Sequence, residues 1–444
     1  MKHLPAFLLL LLLAATHPAE GQLFSFVASY LDGETQGMNT LDGLADASAT
    51  AVSPDGANVY VCSGLGAAGS TDHAIAVFSR NQTTGELTFV EAKFDDSDGG
   101  SADGLASCRD VEVSPDGKHV YTAGFTDNKV GIFSRDAMTG ALTFLSVVQD
   151  GVDASGLAGT QAIAISPDGA SVFVVGLTDD TVTAFSRNST TGALTFQDMA
   201  QEGVGGVTGL DRPLDVAVSP DGSHVYTVAG SNANSTGSDA VVAFTWNAAM
   251  GDLTFVAAYF EGATQGANTI DGLDRVSSVT VSPDGKNVYA SGGLDFSDTP
   301  VDGDPVDLDW IAVFSRNAGT GALTWVQAIQ HTTFCMLDIL LESDTFAVVS
   351  PTNETLYATS DAMALTSFAR NTTTGTLTFR DAECYFDNLA LRINLPRRIS
   401  VDSTGTSIYV PGQASDAVAA FISDDIFADG FESGNTSAWS ATVP

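Results

Sequence analysis

One short unit, Ser-Pro-Asp-Gly followed two residues later by Val-Tyr or Val-Phe, recurs along almost the whole chain. It begins at Ser53, Ser114, Ser166, Ser219 and Ser282, and returns in altered form at Ser350 and Asp402. These seven copies start 52 to 68 residues apart, and a self-similar period of this length predicts a repeat architecture. The repeat also limits functional inference, because a residue present in every copy serves the shared fold.

Each copy carries the signals of four short strands. Proline presets φ and glycine tolerates positive φ, so the Pro-Asp-Gly step predicts a tight turn between two apolar, β-branched runs. A third run with alternating apolar residues follows, then a second turn, Asn-x-x-Thr-Gly, and a fourth run that begins Leu-Thr-Phe or Leu-Thr-Trp. We therefore predict an all-β chain that forms a seven-bladed β-propeller with four antiparallel strands per blade.

The two ends of the chain predict how the ring closes. Residues 24–30 (FSFVASY) match the fourth strand at 253–259 (LTFVAAY), and the match continues from Thr35 and Thr264 through Thr-Gln-Gly-x-Asn-Thr-x-Asp-Gly-Leu. The last copy, at 399–422, holds only three strands. We expect the N-terminal strand to complete the last blade beside the three C-terminal strands.

The combination SPDGxxVYV, then VxxFSRNxxTGxLTF, resembles the repeats of the seven-bladed lactonase-type propellers, a group with phosphogluconolactonase-like and muconate-cyclase-like proteins. The resemblance covers essentially all of the chain after residue 21. It implies the propeller fold and, as one possible activity, the opening of a lactone ring. It carries over no catalytic residues, because no active-site motif in this sequence matches the family.

Composition indicates an exported, acidic protein. Residues 1–21 have the basic start, Leu-rich core and small-residue end of a secretory signal, which predicts a secreted or periplasmic location. We expect the propeller to span residues 22–423 and residues 424–444 to form a tail for docking or sorting. The formal charge of −37 opposes binding to nucleic acid, and no later apolar segment is long enough to span a membrane.

Four cysteines suit the oxidising compartment that export implies. Cys62 and Cys108 flank the connection between the first two blades, and Cys335 and Cys384 flank the sixth blade on the same face. Among the three possible pairings we favour Cys62–Cys108 and Cys335–Cys384.

Residues that are special to one copy are the candidates for a functional site, and they collect at the starts of the innermost strands. They are Arg109, Asp110, Glu112, Asp215, Arg397 and Arg398. These strand starts surround the mouth of the central channel of a propeller. In the catalytic hypothesis an arginine there polarises a lactone carbonyl and a carboxylate activates water. The alternative is an inter-blade ion pair without a catalytic role.

Glu112 is the most unusual of these residues. Its equivalents in other copies are Ala51, Ala164, Ala217 and Thr280. A carboxylate in place of a small residue between packed blades is unfavourable unless it is paired or neutralised. Arg109 or an arginine of the seventh blade is the expected partner.

Three further groups of residues have simpler interpretations. The arginine that follows Phe-Ser or Phe-Ala recurs, so we expect it to cap a strand or pair with a neighbouring blade; it is present as Arg80, Arg135, Arg187, Arg316 and Arg370. His119 and His224 sit beside the Pro-Asp-Gly turn and are expected to be surface residues. Asp302, Asp304 and Asp307 in the fifth blade, and the stretch that starts at Asp95, are either loose calcium sites or solvated loops. No other cofactor is predicted.

These patterns leave two functions open, and no single residue distinguishes them. The preferred one is a scaffold whose loop-rich face binds a surface protein, a glycan or a small organic acid. The alternative is hydrolysis or cycloisomerisation of a lactone that carries no phosphate, because export separates the protein from phosphorylated sugar lactones and the acidity disfavours anions.

Overall fold

The computed structural model describes residues 24–64, 72–96, 102–230, 238–293, 309–331, 345–360, 364–384, 391 and 393–423. Within these ranges the chain forms seven four-stranded antiparallel sheets, and each sheet corresponds to one copy of the repeat. The predicted all-β, seven-bladed β-propeller is therefore confirmed.

The strands of each blade follow one another from the central channel outwards. Blade 1 contains Ala49–Val52, Asn58–Cys62, Ala74–Arg80 and Leu87–Phe94. Blade 2 contains Cys108–Val113, His119–Gly124, Lys129–Arg135 and Leu142–Gln149. Blade 3 contains Thr160–Ile165, Ser171–Gly176, Thr181–Arg187 and Leu194–Gln201. Blade 4 contains Pro213–Val218, His224–Ala229, Ala240–Asn247 and Asp252–Phe260. Blade 5 contains Val276–Val281, Asn287–Gly292, Asp309–Arg316 and Leu323–His331. Blade 6 contains Phe346–Val349, Thr355–Ser360, Ala364–Arg370 and Leu377–Cys384. Blade 7 contains Ser400–Val401, Ser407–Gly412, Ala417–Ser423 and the N-terminal strand Phe24–Leu31.

A few short elements complete the fold. Thr35–Gln36 pairs with Asn39–Thr40, and Thr264–Gln265 pairs with Asn268–Thr269, so the sequence match between these segments is also a structural one. A 3-10 turn at Gln413–Ser415 joins two strands of blade 7. In the ranges given above, no helix is both long and apolar enough to cross a membrane.

The N-terminal strand closes the ring, as the sequence predicted. Phe24 lies opposite Ser423 and Tyr30 lies opposite Val418 in an antiparallel pair. Phe24 and Tyr30 are buried, and the Tyr30 hydroxyl accepts a hydrogen bond of 2.7 Å from the Leu87 N–H of blade 1. The first strand therefore joins the two ends of the chain and also holds blade 7 against blade 1.

A hydrogen-bonded arginine connects most neighbouring blades on the face of the Pro-Asp-Gly turns. Arg187 of blade 3 is typical: it donates to the Tyr121 hydroxyl and the Asp116 carboxylate of blade 2, and to the Gly169 carbonyl of its own turn. Arg80, Arg135, Arg316 and Arg370 repeat this arrangement. The predicted structural role of the repeated arginine is confirmed, and the turn aspartate both shapes the turn and holds this arginine.

The expectation that His119 and His224 are surface residues is wrong. Both are almost fully buried, at 3% and 2% exposure, and each Nδ1 lies 2.7–2.8 Å from the arginine of the next blade. They occupy the position that Asn58 and Asn287 hold in other blades. Burial lowers the pKa of both imidazoles, and the adjacent arginine lowers it further.

On the opposite face, carboxylates stabilise the loops between blades by accepting hydrogen bonds from their backbone. In five loops one carboxylate accepts the backbone N–H of the leucine in a Gly-Leu pair, at 2.7–3.0 Å. The acceptors are Asp32, Asp95, Asp150, Glu202 and Glu261. Part of the acidity of the chain therefore serves the fold itself.

On this same face a disulfide links Cys62 to Cys108, which connects blades 1 and 2 and confirms that predicted pair. Cys335 lies outside the described residues, so the pair Cys335–Cys384 stays a prediction.

Candidate functional site

The innermost strands of all seven blades surround a central cavity of ≈ 370 Å³. Each blade contributes the same short stretch of its inner strand, including Ala51, Glu112, Ala164, Ala217, Thr280, Val348 and Ser400. These seven residues are equivalent, because each one pairs with the aromatic residue of its second strand. Glu112 is thus the one carboxylate in this ring of small or apolar side chains.

Two residues earlier in each strand lies a second ring of equivalent positions, nearer the loops between blades. Asp110 of blade 2, Asp215 of blade 4 and Arg398 of blade 7 belong to this ring. The Arg398 guanidinium reaches across the channel: its Nη1 lies 2.5 Å from Asp215 Oδ1, and its Nε lies 3.4 Å from Asp110 Oδ1. It also lies 5.8 Å from the centre of the Phe346 ring of blade 6. One side chain therefore connects three other blades across the channel mouth.

The two aspartates are held in place by the backbone of the next blade. Asp110 Oδ2 accepts the Ile163 N–H of blade 3 at 2.9 Å, and Asp215 Oδ2 accepts the Val279 N–H of blade 5 at 2.8 Å. Both carboxylates are almost completely buried, with 1% exposure. Burial raises the pKa of Asp110 to about 6, although Arg398 acts in the opposite direction.

Glu112 differs from both aspartates because it makes no hydrogen bond to any residue that the structure describes. Its side chain is partly exposed to the channel. Burial raises its pKa to about 8, and the negative charges of Asp110 and Asp215 add to this effect while Arg398 opposes it. The result is a carboxyl group that exchanges its proton near neutral pH and has no structural partner, which is the property expected of a general acid or base.

Four of the six residues that the sequence analysis selected lie together at the cavity: Asp110, Glu112, Asp215 and Arg398. Arg109 lies on the other face of its strand, because neighbouring side chains alternate, and its guanidinium is 4.5 Å from the centre of the Phe125 ring. Arg397 likewise alternates with Arg398, and its Nε donates to Gln413 Oε1 at 2.7 Å. The expected partner of Glu112 from the seventh blade is Arg398, yet Arg398 forms its ion pairs with the two aspartates.

The sequence did not identify Phe346 as part of the channel mouth. It occupies the same repeat position as Asp110, Asp215 and Arg398. An alignment of the altered copy that starts at Ser350 with the other copies would have identified it. Asp302, Asp304 and Asp307 lie outside the described residues, so a calcium site there stays a prediction.

Two other carboxylate groups have oxygens close enough together to hold a metal ion. In the part of the chain that the structure describes, they are Asp32 and Asp42 of the connection into blade 1 with Asp72 of that blade, and Asp95 and Asp103 of the connection between blades 1 and 2 with Asp127 of blade 2. Asp32 and Asp95 belong to the set that fastens the Gly-Leu loops, and Lys129 Nζ lies 2.7 Å from Asp103. These contacts give both groups a structural role.

Comparison with known proteins confirms the resemblance to the lactonase-type propellers. The family model described as "Lactonase, 7-bladed beta-propeller" matches residues 25–153 and 96–207. No curated protein sequence matches the chain.

Solved structures share the fold at low sequence identity. A candidate 6-phosphogluconolactonase from Bacteroides uniformis is 21% identical with a TM-score of 0.54, over 77% of this chain and 85% of that one. The periplasmic gluconolactonase PpgL of Pseudomonas aeruginosa is 15% identical with a TM-score of 0.54, over 79% and 89%. Hydrazine synthase of Kuenenia stuttgartiensis is 16% identical with a TM-score of 0.55, over 88% and 99%. Because these neighbours have different activities, the fold alone does not identify the reaction.

Proposed function

We propose that this protein is an exported hydrolase that opens a small, uncharged lactone ring at the mouth of its central channel. The observation that carries the proposal is Glu112, a carboxyl group with a pKa of about 8 that faces the cavity and has no hydrogen-bond partner in the described chain. A group with these properties can exchange a proton with a ligand without first losing a structural contact.

The proposed reaction uses Glu112 as the general base and Arg398 as the electrophile. The Glu112 carboxylate takes a proton from a water molecule while the water oxygen attacks the lactone carbonyl carbon. The carbon–oxygen bond of the ring then breaks, and the proton returns from Glu112 to the leaving alkoxide. Arg398 has donors on Nη2 beyond its contacts to the two aspartates, and these can stabilise negative charge on the carbonyl oxygen.

The charge of the site favours an uncharged substrate. Three carboxyl groups, those of Asp110, Glu112 and Asp215, face one guanidinium, so the site contains more acidic groups than basic ones. A phosphorylated or carboxylated lactone would meet this charge and the net charge of −37. A neutral lactone is repelled neither by the carboxylates of the site nor by the net charge of the protein.

The test is a panel of neutral, carboxylated and phosphorylated lactones, with hydrolysis followed as acid release at constant pH. We expect turnover of at least one neutral lactone and much slower turnover of its phosphorylated counterpart. Parallel assays with calcium and with a chelator test the acidic loop of blade 5. Absence of turnover across the panel would contradict the proposal.

The second candidate is a scaffold that binds a small organic acid, a surface protein or a glycan without chemistry. The observation that favours it is the engagement of Arg398 by Asp110 and Asp215, which supplies the guanidinium with carboxylate partners before any ligand binds. Calorimetric binding of a panel member that is never hydrolysed would support the scaffold over the enzyme.

A further inference from the structure

The repeated arginine occupies a defined space at five junctions between blades. In each case Nη1 donates to the carbonyl of the last residue of its own turn, at 2.8–3.1 Å, while Nη2 reaches a carboxylate of the preceding blade. Nε donates to a tyrosine hydroxyl of that preceding blade. These three acceptors define a site for one guanidinium group at each junction.

The junction between blades 3 and 4 lacks this arginine. Trp246 stands in its place, and Phe173 replaces the tyrosine that would have accepted from Nε; the two rings pack edge to face, 5.1 Å apart. The Trp246 indole N–H donates to Ser171 Oγ at 3.0 Å. The aspartate is nevertheless retained as Asp168, which is exposed and forms no ion pair with any described residue. Hydrogen bonds from Ser166 and from the Ala170 N–H lower the pKa of Asp168, so its carboxylate is ionised at neutral pH.

The space that the arginine fills elsewhere is open at this junction. A Cβ built on the turn glycine would lie 3.2–3.3 Å from arginine Nη1 at four junctions, at Gly56, Gly117, Gly169 and Gly285. At Gly222, the equivalent glycine of blade 4, it would meet no described atom within 4 Å. An open pocket of ≈ 810 Å³ lies here, lined by Asp168 of blade 3 and by Gly222 and Trp246 of blade 4.

We propose that this pocket binds the guanidinium group of a ligand, in the place where five other junctions hold their own arginine. The Asp168 carboxylate and the Gly222 carbonyl correspond to the two acceptors that Arg187 uses at Asp116 and Gly169. A planar fork of N–H donors fits two separate acceptors better than a single ammonium does. The negative charge of the whole chain would also attract a cationic ligand. The site lies on the face opposite the loops between blades, so it is separate from the channel mouth.

The experiment titrates the whole protein with free arginine, N-acetyl-arginine amide, N-acetyl-lysine amide and guanidinium ion, and follows the Trp246 indole N–H resonance. We expect saturable binding of the arginine compounds and weaker binding of the lysine compound. The amide tests an arginine within a peptide, and free arginine tests the amino acid itself, so the two possible sources of the group are distinguished.

Two variants test the site itself. Asp168→Asn removes the charge from an exposed side chain and should weaken arginine binding at least about tenfold, since hydrogen bonds to charged groups contribute this much. Trp246→Arg combined with Phe173→Tyr restores the repeat and should abolish binding, because the protein's own arginine then fills the pocket.

Glu86→Gln, which removes an exposed carboxylate from a turn on the same face, is the control and should bind like the parent. Binding that is unchanged in both site variants, or no arginine-dependent shift in the parent at millimolar concentration, would overturn the proposal.

Discussion

Arg398 Nη1 lies 2.5 Å from Asp215 Oδ1, although the two residues belong to blades 7 and 4 and are separated by the width of the channel mouth. The Arg398 side chain is 20% exposed and that of Asp215 only 2%. Ion pairs between neighbouring blades recur around the ring, but this one crosses the channel and belongs to no repeat. This ion pair therefore couples the position of blade 7, the last blade, to blade 4 in the middle of the chain.

Arg398→Leu should lower the free energy of unfolding by about 3 kcal/mol at pH 8, because two buried carboxylates lose their counter-charge. The loss should be smaller at pH 5, where Asp110, whose pKa is about 6, is largely protonated. Urea unfolding at both pH values measures the difference. Arg397→Leu, which removes the hydrogen bond to Gln413 on the other face of the strand, is the matched control and should lower stability by a smaller amount. Equal losses for the two variants would show that the contact across the channel has no special role.

Deletion of residues 22–31 should lower the melting temperature by roughly 10 °C or more, because it removes two buried aromatic side chains and exposes the edge of the Ala417–Ser423 strand. A chain that ends at residue 423 keeps every described strand and is the control, and its melting temperature should fall by less than that of the N-terminal deletion. A deletion of residues 22–31 that leaves the melting temperature unchanged would mean that closure by the first strand does not stabilise the ring.

The sequence predicts this fold well because its information is local and repeated. Each Pro-Asp-Gly turn identifies a hairpin, and the match between residues 24–30 and 253–259 identifies the closing strand. The site is predicted only in part. The shared position of Asp110, Asp215 and Arg398 can be found by aligning the repeats, whereas the reach of Arg398 across the channel depends on the diameter of the ring.

The interpretation of His119 and His224 failed for a similar reason. Their burial is caused by arginines that lie 68 and 92 residues further along the chain, in the next blade. Neighbouring residues in the sequence carry no signal of that contact. The same comparison of copies that finds the repeat does show, however, that asparagine takes the same place in blades 1 and 5.

The double variant His119→Asn/His224→Asn should make stability less dependent on pH. The folded state lowers the pKa of both imidazoles, so the unfolded chain binds protons first as the pH falls below about 6.5. The parent therefore loses stability as the pH falls below about 6.5, and the asparagine variant should lose less. Above pH 7 the two proteins should unfold alike, because Asn58 and Asn287 already accept from arginine at this position. Chemical unfolding at pH 5 and pH 8 tests this, and an equal acid loss in both proteins would contradict it.

Peptide mapping without reduction should find Cys335 joined to Cys384 as well as Cys62 joined to Cys108. The protein must be isolated from the oxidising compartment to which its first 21 residues are predicted to direct it, since disulfides form there. Free thiols at Cys335 and Cys384 in that material would show that the second pair is wrong. Free thiols at all four positions would contradict the predicted export.

Glu112→Gln and Glu112→Ala separate catalysis from stability. If Glu112 is the general base, both variants should lose turnover of the accepted lactone by about 10²-fold or more while remaining folded, since alanine is the residue of blades 1, 3 and 4 at this position. Parental turnover per folded molecule in either variant would exclude the assignment.

The same carboxyl group should have a clear effect on the pH dependence of stability. Because folding raises the pKa of Glu112 from 4.5 to about 8, the unfolded chain releases the proton first, and the parent loses stability as the pH rises from about 4.5 to 8. Glu112→Gln stays neutral throughout, so it should be more stable than the parent at pH 9, by at most about 5 kcal/mol, and similar to it at pH 4. A structural carboxylate that is ionised and paired would give the opposite result at pH 9. Turnover and unfolding measured on one preparation therefore distinguish a poised catalytic acid–base group from a stabilising ion pair.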